Sequence, residues 1–246
     1  MDPNLIQEQR PALASYDALA GLIEHSLVRP DLSEEDVAAG CYTAVEYGLA
    51  AVLVRPSDVD LALRITSGAS VRVASVAGFP HGSSGTAAKL YEGRDLLRRG
   101  VKEVCLVANV GKLLSRQFQY VETEILQMSE SCHEAGALLH VVFENAYLAR
   151  DLKIILSKIL KRTETDFAVT STCFAPTGYS LADVQLMKRV LGDKVRIKAS
   201  GGVRTIDHAL EAYNAGCDRL GCTFTVTILE DWKKHLAARA SQASAS

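Results

Sequence analysis

The segment Val195-Arg-Ile-Lys-Ala-Ser-Gly-Gly-Val-Arg-Thr205 holds residue types that can act on a carbonyl group. Lys198 stands in a short predicted strand that runs straight into a Gly-Gly turn. With strand alternation, Val195, Ile197 and Ala199 face one side, and Arg196, Lys198 and Ser200 face the other. A lysine next to a backbone turn that can hold an anion suggests carbonyl chemistry on a phosphorylated substrate. A lysine on a solvated strand face is the competing reading. The choice depends on whether the rest of the chain encloses Lys198.

Two turns offer backbone N–H groups to an anion. One contains Gly201, Gly202, Val203 and Arg204, and the other contains Gly221 and Thr223. Each precedes a helix start, so backbone nest and helix dipole both favour phosphate. A tight strand-to-helix turn without a ligand would also use Gly-Gly. A third glycine-rich loop, Gly78-Phe-Pro-His-Gly-Ser-Ser-Gly-Thr86, leads into a helix bearing Lys89 and Glu92. It fits a helix cap as well as a substrate contact. Glu144 ends the apolar run Val141-Val-Phe-Glu144, where an unpaired buried carboxylate would cost several kcal/mol. Lys198 is its natural partner in the sequence.

The elements that must position these residues are short β-branched runs alternating with amphipathic stretches. Predicted strands cover Ile23–Leu27, Ala50–Arg55, Val71–Gly78, Glu103–Asn109, Leu138–Glu144, Asp166–Ser171, Val195–Ser200 and Arg219–Cys222. Helix patterns follow Ser33, with Asp36 at the capping-box offset, and span Thr86–Arg99, Gln117–Ala135, Ser180–Leu191 and Thr205–Ala215. Glycines 100, 136, 192 and 216 follow four of them. Eight strands in this length predict one domain, a parallel α/β TIM (β/α)8 barrel over residues 1–246, with an N-terminal extension at 1–14 and a flexible tail at 237–246. No Gly-x-Gly-x-x-Gly follows the first strand, which argues against a dinucleotide fold. In such a barrel the site gathers at the C-terminal strand ends. The polar residues there are His25, Arg55, Asn109, Glu144, Thr170, Ser171, Lys198 and Ser200.

Composition narrows the partners. The 27 basic and 29 acidic residues leave a formal charge of −2, without a basic run. Nucleic acid and anionic membranes are therefore not expected. No apolar stretch reaches the roughly 18–20 residues that span a bilayer, and the start of the chain lacks a signal-peptide pattern. The six cysteines lack Cys-x-x-Cys spacing, as expected of reduced thiols in a cytoplasmic protein. The six histidines show no His-x-x-x-His pairing. No metal is expected from local spacing, although ligands can converge from distant strands.

Five ordered motifs can now be read together: Ile23-Glu-His-Ser-Leu-Val-Arg-Pro-Asp31, Gly78-Phe-Pro-x-Gly82, Glu103-x-x-x-Val-x-Asn-x-Gly111, Asp166-Phe-x-x-Thr-Ser-Thr172 and Lys198-Ala-Ser-Gly-Gly-Val-Arg-Thr205. Over residues 17 to 226 the chain resembles the deoxyribose-phosphate aldolase family. The resemblance implies a TIM barrel and a class I aldolase without cofactor. Members join acetaldehyde to glyceraldehyde 3-phosphate or cleave 2-deoxyribose 5-phosphate, and they often form dimers. It implies a Schiff-base lysine on the sixth strand, a second lysine on the seventh and a relay aspartate on the fourth. From the strand ends and glycine turns, the expected phosphate or substrate contacts are Thr170, Ser171, Gly201, Gly202, Val203, Arg204, Gly221 and Thr223.

The chain departs from that pattern at its centre. The Schiff-base lysine position is Val169 and the relay aspartate position is Cys105; Lys198 is the lysine that remains. A common aspartate on the first strand is Glu24, and a common asparagine before proline on the second is Arg55. Valine cannot form an imine, and a cysteine replaces a charged aspartate only as a stabilised thiolate. Three functions fit. The first is a divergent lyase in which Lys198 itself forms the imine, with Glu144 or a water moving protons. The second is a non-aldolase isomerase, cyclase or dehydratase using Glu144, Lys198 and His25 as acid and base; independently of the choice, Arg55, His140 and Glu144 give the barrel mouth a different charge layout. The third is a catalytically inactive homologue that binds phosphosugars.

Overall fold

The computed structural model describes residues 10–244. Alternation along the lysine-bearing strand sorts its residues to two sides of a sheet. Ile197 and Ala199 pack outward among the helices, while Lys198 and Ser200 look inward. The same division on every strand closes the sheet around a filled lumen. The strands are β1 (Ile23–Leu27), β2 (Ala51–Val54), β3 (Arg72–Ala77), β4 (Glu103–Val107), β5 (Leu138–Val142), β6 (Phe167–Val169), β7 (Arg196–Ser200) and β8 (Arg219–Cys222). They pair in sequence order, all parallel, and β8 closes on β1. This is the (β/α)8 barrel that the alternation of elements predicts.

Helix starts follow local chemistry. Ser33 and Asp36 form a full capping box ahead of Glu34–Glu46. Ser180 and Thr205 cap the helices Leu181–Leu191 and Ile206–Asn214. Helices over Val59–Ile65, Val110–Leu114 and Arg150–Arg162 complete the ring beyond those read from the sequence. The last helix runs from Thr225 to Ser244, so residues 237–244 of the expected tail are helical. Of the expected N-terminal extension, residues 1–9 lie outside the described residues. Arg10 donates to the Cys217 carbonyl at 2.7 Å, and Leu13 is buried in the core. No described helix is long and apolar enough to cross a membrane.

Several strands stop short of their predicted ends. Asn109 leaves β4 to accept a hydrogen bond from the Lys112 amide at 3.1 Å, capping the next helix. Glu144 leaves β5 in the left-handed region, with φ 54°. That conformation is uncommon for a residue other than glycine, and it redirects the side chain.

The helix Thr86–Arg98 is anchored by charge rather than by packing alone. Lys89 and Glu124 are both fully buried, with Nζ 2.7 Å from Oε1. Lys89 also donates to the Val107 carbonyl at 2.8 Å, and Thr86 Oγ1 donates to Glu124 Oε2 at 3.1 Å. Burial pushes the Lys89 pKa down, against the opposing pull of Glu124. Glu92 accepts from the Gly78 amide at 2.7 Å. Lys89 and Glu92 therefore hold the 78–86 loop in place, and the buried Lys89 is not left to meet a substrate.

Candidate active site

Three regions at the C-terminal end of the barrel make up the site. They are a glycine cradle, a loop held by Glu144 and a small lumenal cavity beside Lys198.

The cradle is built from the turns after β7 and β8. Gly201 and Gly202 have φ of 84° and 107°, so glycine is required at both. Gly201 accepts from the Tyr179 amide at 2.8 Å, which ties the 174–179 loop to the turn. The packing is tight: a Cβ on Gly178 would lie 1.8 Å from the Gly201 oxygen. The amides of Gly202, Val203 and Thr223 donate to no described residue. They sit on a cleft of about 460 Å³ lined also by Arg29, Arg204, Gly221 and Phe224. The helices Ile206–Asn214 and Thr225–Ser244 start just beyond it, adding partial positive charge. Unpaired amides, helix starts and arginines suit a phosphate. Gly178→Ala will force the two loops apart, costing about 1–3 kcal/mol in stability. The check is a urea titration, in which a lower midpoint is expected.

Glu144 does not meet Lys198, contrary to the pairing expected from the sequence. Its carboxylate accepts from Ser171 Oγ at 2.8 Å, from the Thr172 amide at 3.2 Å and from Thr172 Oγ1. Ser171 Oγ and Thr172 Oγ1 in turn accept from the amides of Cys173 and Phe174. Glu144 thus shapes the 171–174 loop, and its left-handed backbone aims it there. Thr170 is likewise committed: its hydroxyl donates to the Ser200 carbonyl and accepts from the Ser200 amide, both at 2.9 Å. It locks β6 to β7.

Lys198 points into the lumen and is 2% exposed. Its Nζ lies 2.6 Å from Glu24 Oε1 and 3.5 Å from Cys105 Sγ. Burial works against the ammonium, but the Glu24 and Glu103 carboxylates raise its pKa above the ordinary lysine value. Burial pushes the Cys105 thiol up to about 12, so it does not supply the charge of an aspartate near neutrality. Val169 packs with Val107 and Val142 over this group. The cavity left between them is only about 20 Å³, roughly the room for one water. Phe79 covers both lumenal clusters and meets Phe174 edge-on at 5.3 Å.

Other residues expected at the mouth are held by neighbouring groups or buried away from it. His25 is on the outer face of β1, with Nδ1 2.8 Å from Thr225 Oγ1. Burial pushes its pKa down to about 4. Arg55 is paired with Asp58 at 2.6 Å and donates to the Arg29 and Pro30 carbonyls, joining two loops. His140 is fully buried deep in the lumen, stacked on Phe167 at 4.3 Å. Glu103 stands beside it, bonded to Arg219 at 3.2 Å through each oxygen. Although burial opposes it, His140, Arg219 and Lys198 hold the Glu103 carboxyl below its usual range. Sequence reading missed Glu24 as the partner of Lys198, and it missed Phe79 and Phe174 as the cover. An acidic residue at mid-strand was the available signal for the first; the aromatic pair left none.

The architecture of this site can be set against known proteins. No family model matches the chain. A deoxyribose-phosphate aldolase of Caldanaerobacter subterraneus subsp. tengcongensis is 36% identical over 217 residues, covering 88% of this chain and 94% of the relative. The enzyme of that name from Thermococcus kodakarensis is 38% identical over 215 residues, covering 86% and 96%. The chain belongs to the deoxyribose-phosphate aldolase family. Among solved structures, QR15, described as an aldolase, superposes with a TM-score of 0.84 at 31% identity, covering 89% of this chain and 98% of that one. The tetrameric deoxyribose phosphate aldolase of Aeropyrum pernix gives 0.81 at 28% identity, covering 90% and 93%. Within this deoxyribose-phosphate aldolase family member, the barrel and the glycine turns sit around a lumen with valine at position 169 and cysteine at position 105.

Proposed function

We propose that this chain binds a phosphorylated sugar or triose through its phosphate group and carries out no imine chemistry on it. The observation that carries the reading is the cradle: free amides at Gly202, Val203 and Thr223 facing an arginine-flanked cleft. The relatives' printed activity supplies the substrate class, a sugar phosphate. The lumen supports the negative half of the proposal. Lys198 is clamped to Glu24 at 2.6 Å, and the space beside it holds about one water. An imine requires a neutral, reachable amine. Acid–base chemistry by Glu144 is equally unsupported, because its oxygens are taken up by Ser171 and Thr172.

The test has two arms. Thermal shifts are measured with 2-deoxyribose 5-phosphate, glyceraldehyde 3-phosphate and inorganic phosphate. A ligand at a hundred times its Kd adds about 2.7 kcal/mol, or roughly 5–10 °C in Tm for a chain of this size. Phosphosugars are expected to raise Tm by that amount, and no rise with any of them sinks the binding reading. In the second arm, acetaldehyde and borohydride are added and the Lys198 peptide is weighed. An unmodified peptide is expected; an adduct at Lys198 replaces the proposal with a lyase in which Lys198 is the nucleophile.

A further inference from the structure

We infer that the lower lumen is a binding site for a soft divalent cation of the zinc type, held by Glu24, Cys105 and His140. The inference is independent of the phosphosugar reading, because none of the three residues lines the cradle. They come from β1, β4 and β5, and no local spacing in the sequence links them. One carboxylate oxygen, one sulfur and one ring nitrogen lie within 4.8 Å of one another. A tetrahedral ion with bonds of about 2.0–2.3 Å needs its donors roughly 3.5 Å apart. Small side-chain rotations close that difference.

A second observation points into the same space. Glu24 Oε2 and His140 Nδ1 are fully buried and have no hydrogen-bond partner among the described residues, whereas His140 Nε2 faces Glu103. Buried polar atoms are almost always partnered, so two orphans on two adjoining side chains need an explanation. An ion supplies one. Glu24 can divide its oxygens: Oε1 holds Lys198, and Oε2 is left for the metal.

The surroundings match those of metal-bound histidines. His140 Nε2 stands 3.1 Å from Glu103 Oε2, off hydrogen-bond alignment, and Arg219 and Arg72 fix Glu103 from behind. A carboxylate behind a ligating imidazole orients the ring and raises its basicity. A donor set of sulfur, nitrogen and oxygen selects zinc or cobalt over magnesium or calcium. Binding replaces the Cys105 S–H bond by a sulfur–metal bond and releases the proton to solvent, with no change of oxidation state. The charged group facing the site from β7 is Lys198, 3.5 Å from the sulfur. Its positive charge opposes the ion and sets the affinity.

The test uses the full chain, treated with a chelator and titrated with Co²⁺. The expected result is one equivalent bound, with a thiolate-to-cobalt absorption band and the visible bands of a tetrahedral ion. Cys105→Ser is expected to lose the thiolate band, and His140→Ala to weaken binding about 100-fold or more, beyond what loss of an outer-shell partner does. Because these variants could fail by misfolding, Lys198→Met tests the opposite direction. Removing the competing ammonium is expected to tighten cobalt binding at least 10-fold. Absence of the thiolate band, its survival in Cys105→Ser, or weaker binding in Lys198→Met overturns the inference.

Discussion

Val169→Lys is expected to give a protein that borohydride traps on acetaldehyde, one adduct per chain at position 169, where the parent chain gives none. Val169 is 1% exposed and is the register partner of Lys198 on β7. A lysine placed there faces the same lumen, beside an existing ammonium. Like charges at close range disfavour the second positive charge, so the new amine titrates low and is neutral enough to attack. The cost is steric, since the local cavity is about 20 Å³. Overpacking of this kind costs about 1–3 kcal/mol, which calorimetry will show as a lower Tm. Adding Cys105→Asp supplies the charged group that a thiol held at about 12 does not. A positioned acid or base contributes about 10²–10⁴-fold, so the double variant is expected to cleave 2-deoxyribose 5-phosphate faster than Val169→Lys by that factor. If the single variant traps nothing, absence of the lysine is not what blocks the imine in this barrel.

Lys89→Met is expected to cost about 3–5 kcal/mol, roughly 10 °C in Tm, the largest stability loss of any single exchange proposed here. The change leaves Glu124 fully buried without its cation, and it also removes a donor from the Val107 carbonyl. The pair spans 35 residues and joins two neighbouring helices above β4. Removing both charges tells a different story. Lys89→Met with Glu124→Leu is expected to recover most of the loss, because a buried ion pair and an apolar pair of similar volume are often near equal. Denaturant melts of the three proteins give the answer. A single-variant loss below about 1 kcal/mol would show that water reaches the pair.

The two results concern different layers of the same loop system. Lys89 lies against Gly78, where an added Cβ would come within 2.7 Å of its Cε. Loss of the pair therefore loosens the segment that carries Phe79 over the lumen. Lys89→Met should also open the Lys198 cavity to solvent, read as faster modification of Cys105 by a small thiol reagent.

The chain order of elements, the glycine turns at 201–202 and 221, and the identities of Val169 and Cys105 were legible without coordinates. Strand and helix periods are local, a glycine in a turn reports its own backbone, and no fold can give valine an amine. Ends of elements were less legible: Asn109 and Glu144 leave their strands because a cap and a left-handed turn outcompete the ladder. Which charges meet could not be read at all. Glu144 looked like the partner of Lys198, yet the partner is Glu24, 174 residues away. Only closure of β8 on β1 brings the first strand to the seventh, and only the shared inward face places Glu24, Cys105 and His140 together. The sequence by itself determined that valine stands at position 169 and cysteine at position 105. The tertiary structure decided what surrounds the lysine that remains, because contacts across a closed barrel depend on strand register and facing, and neither leaves a local mark in the chain.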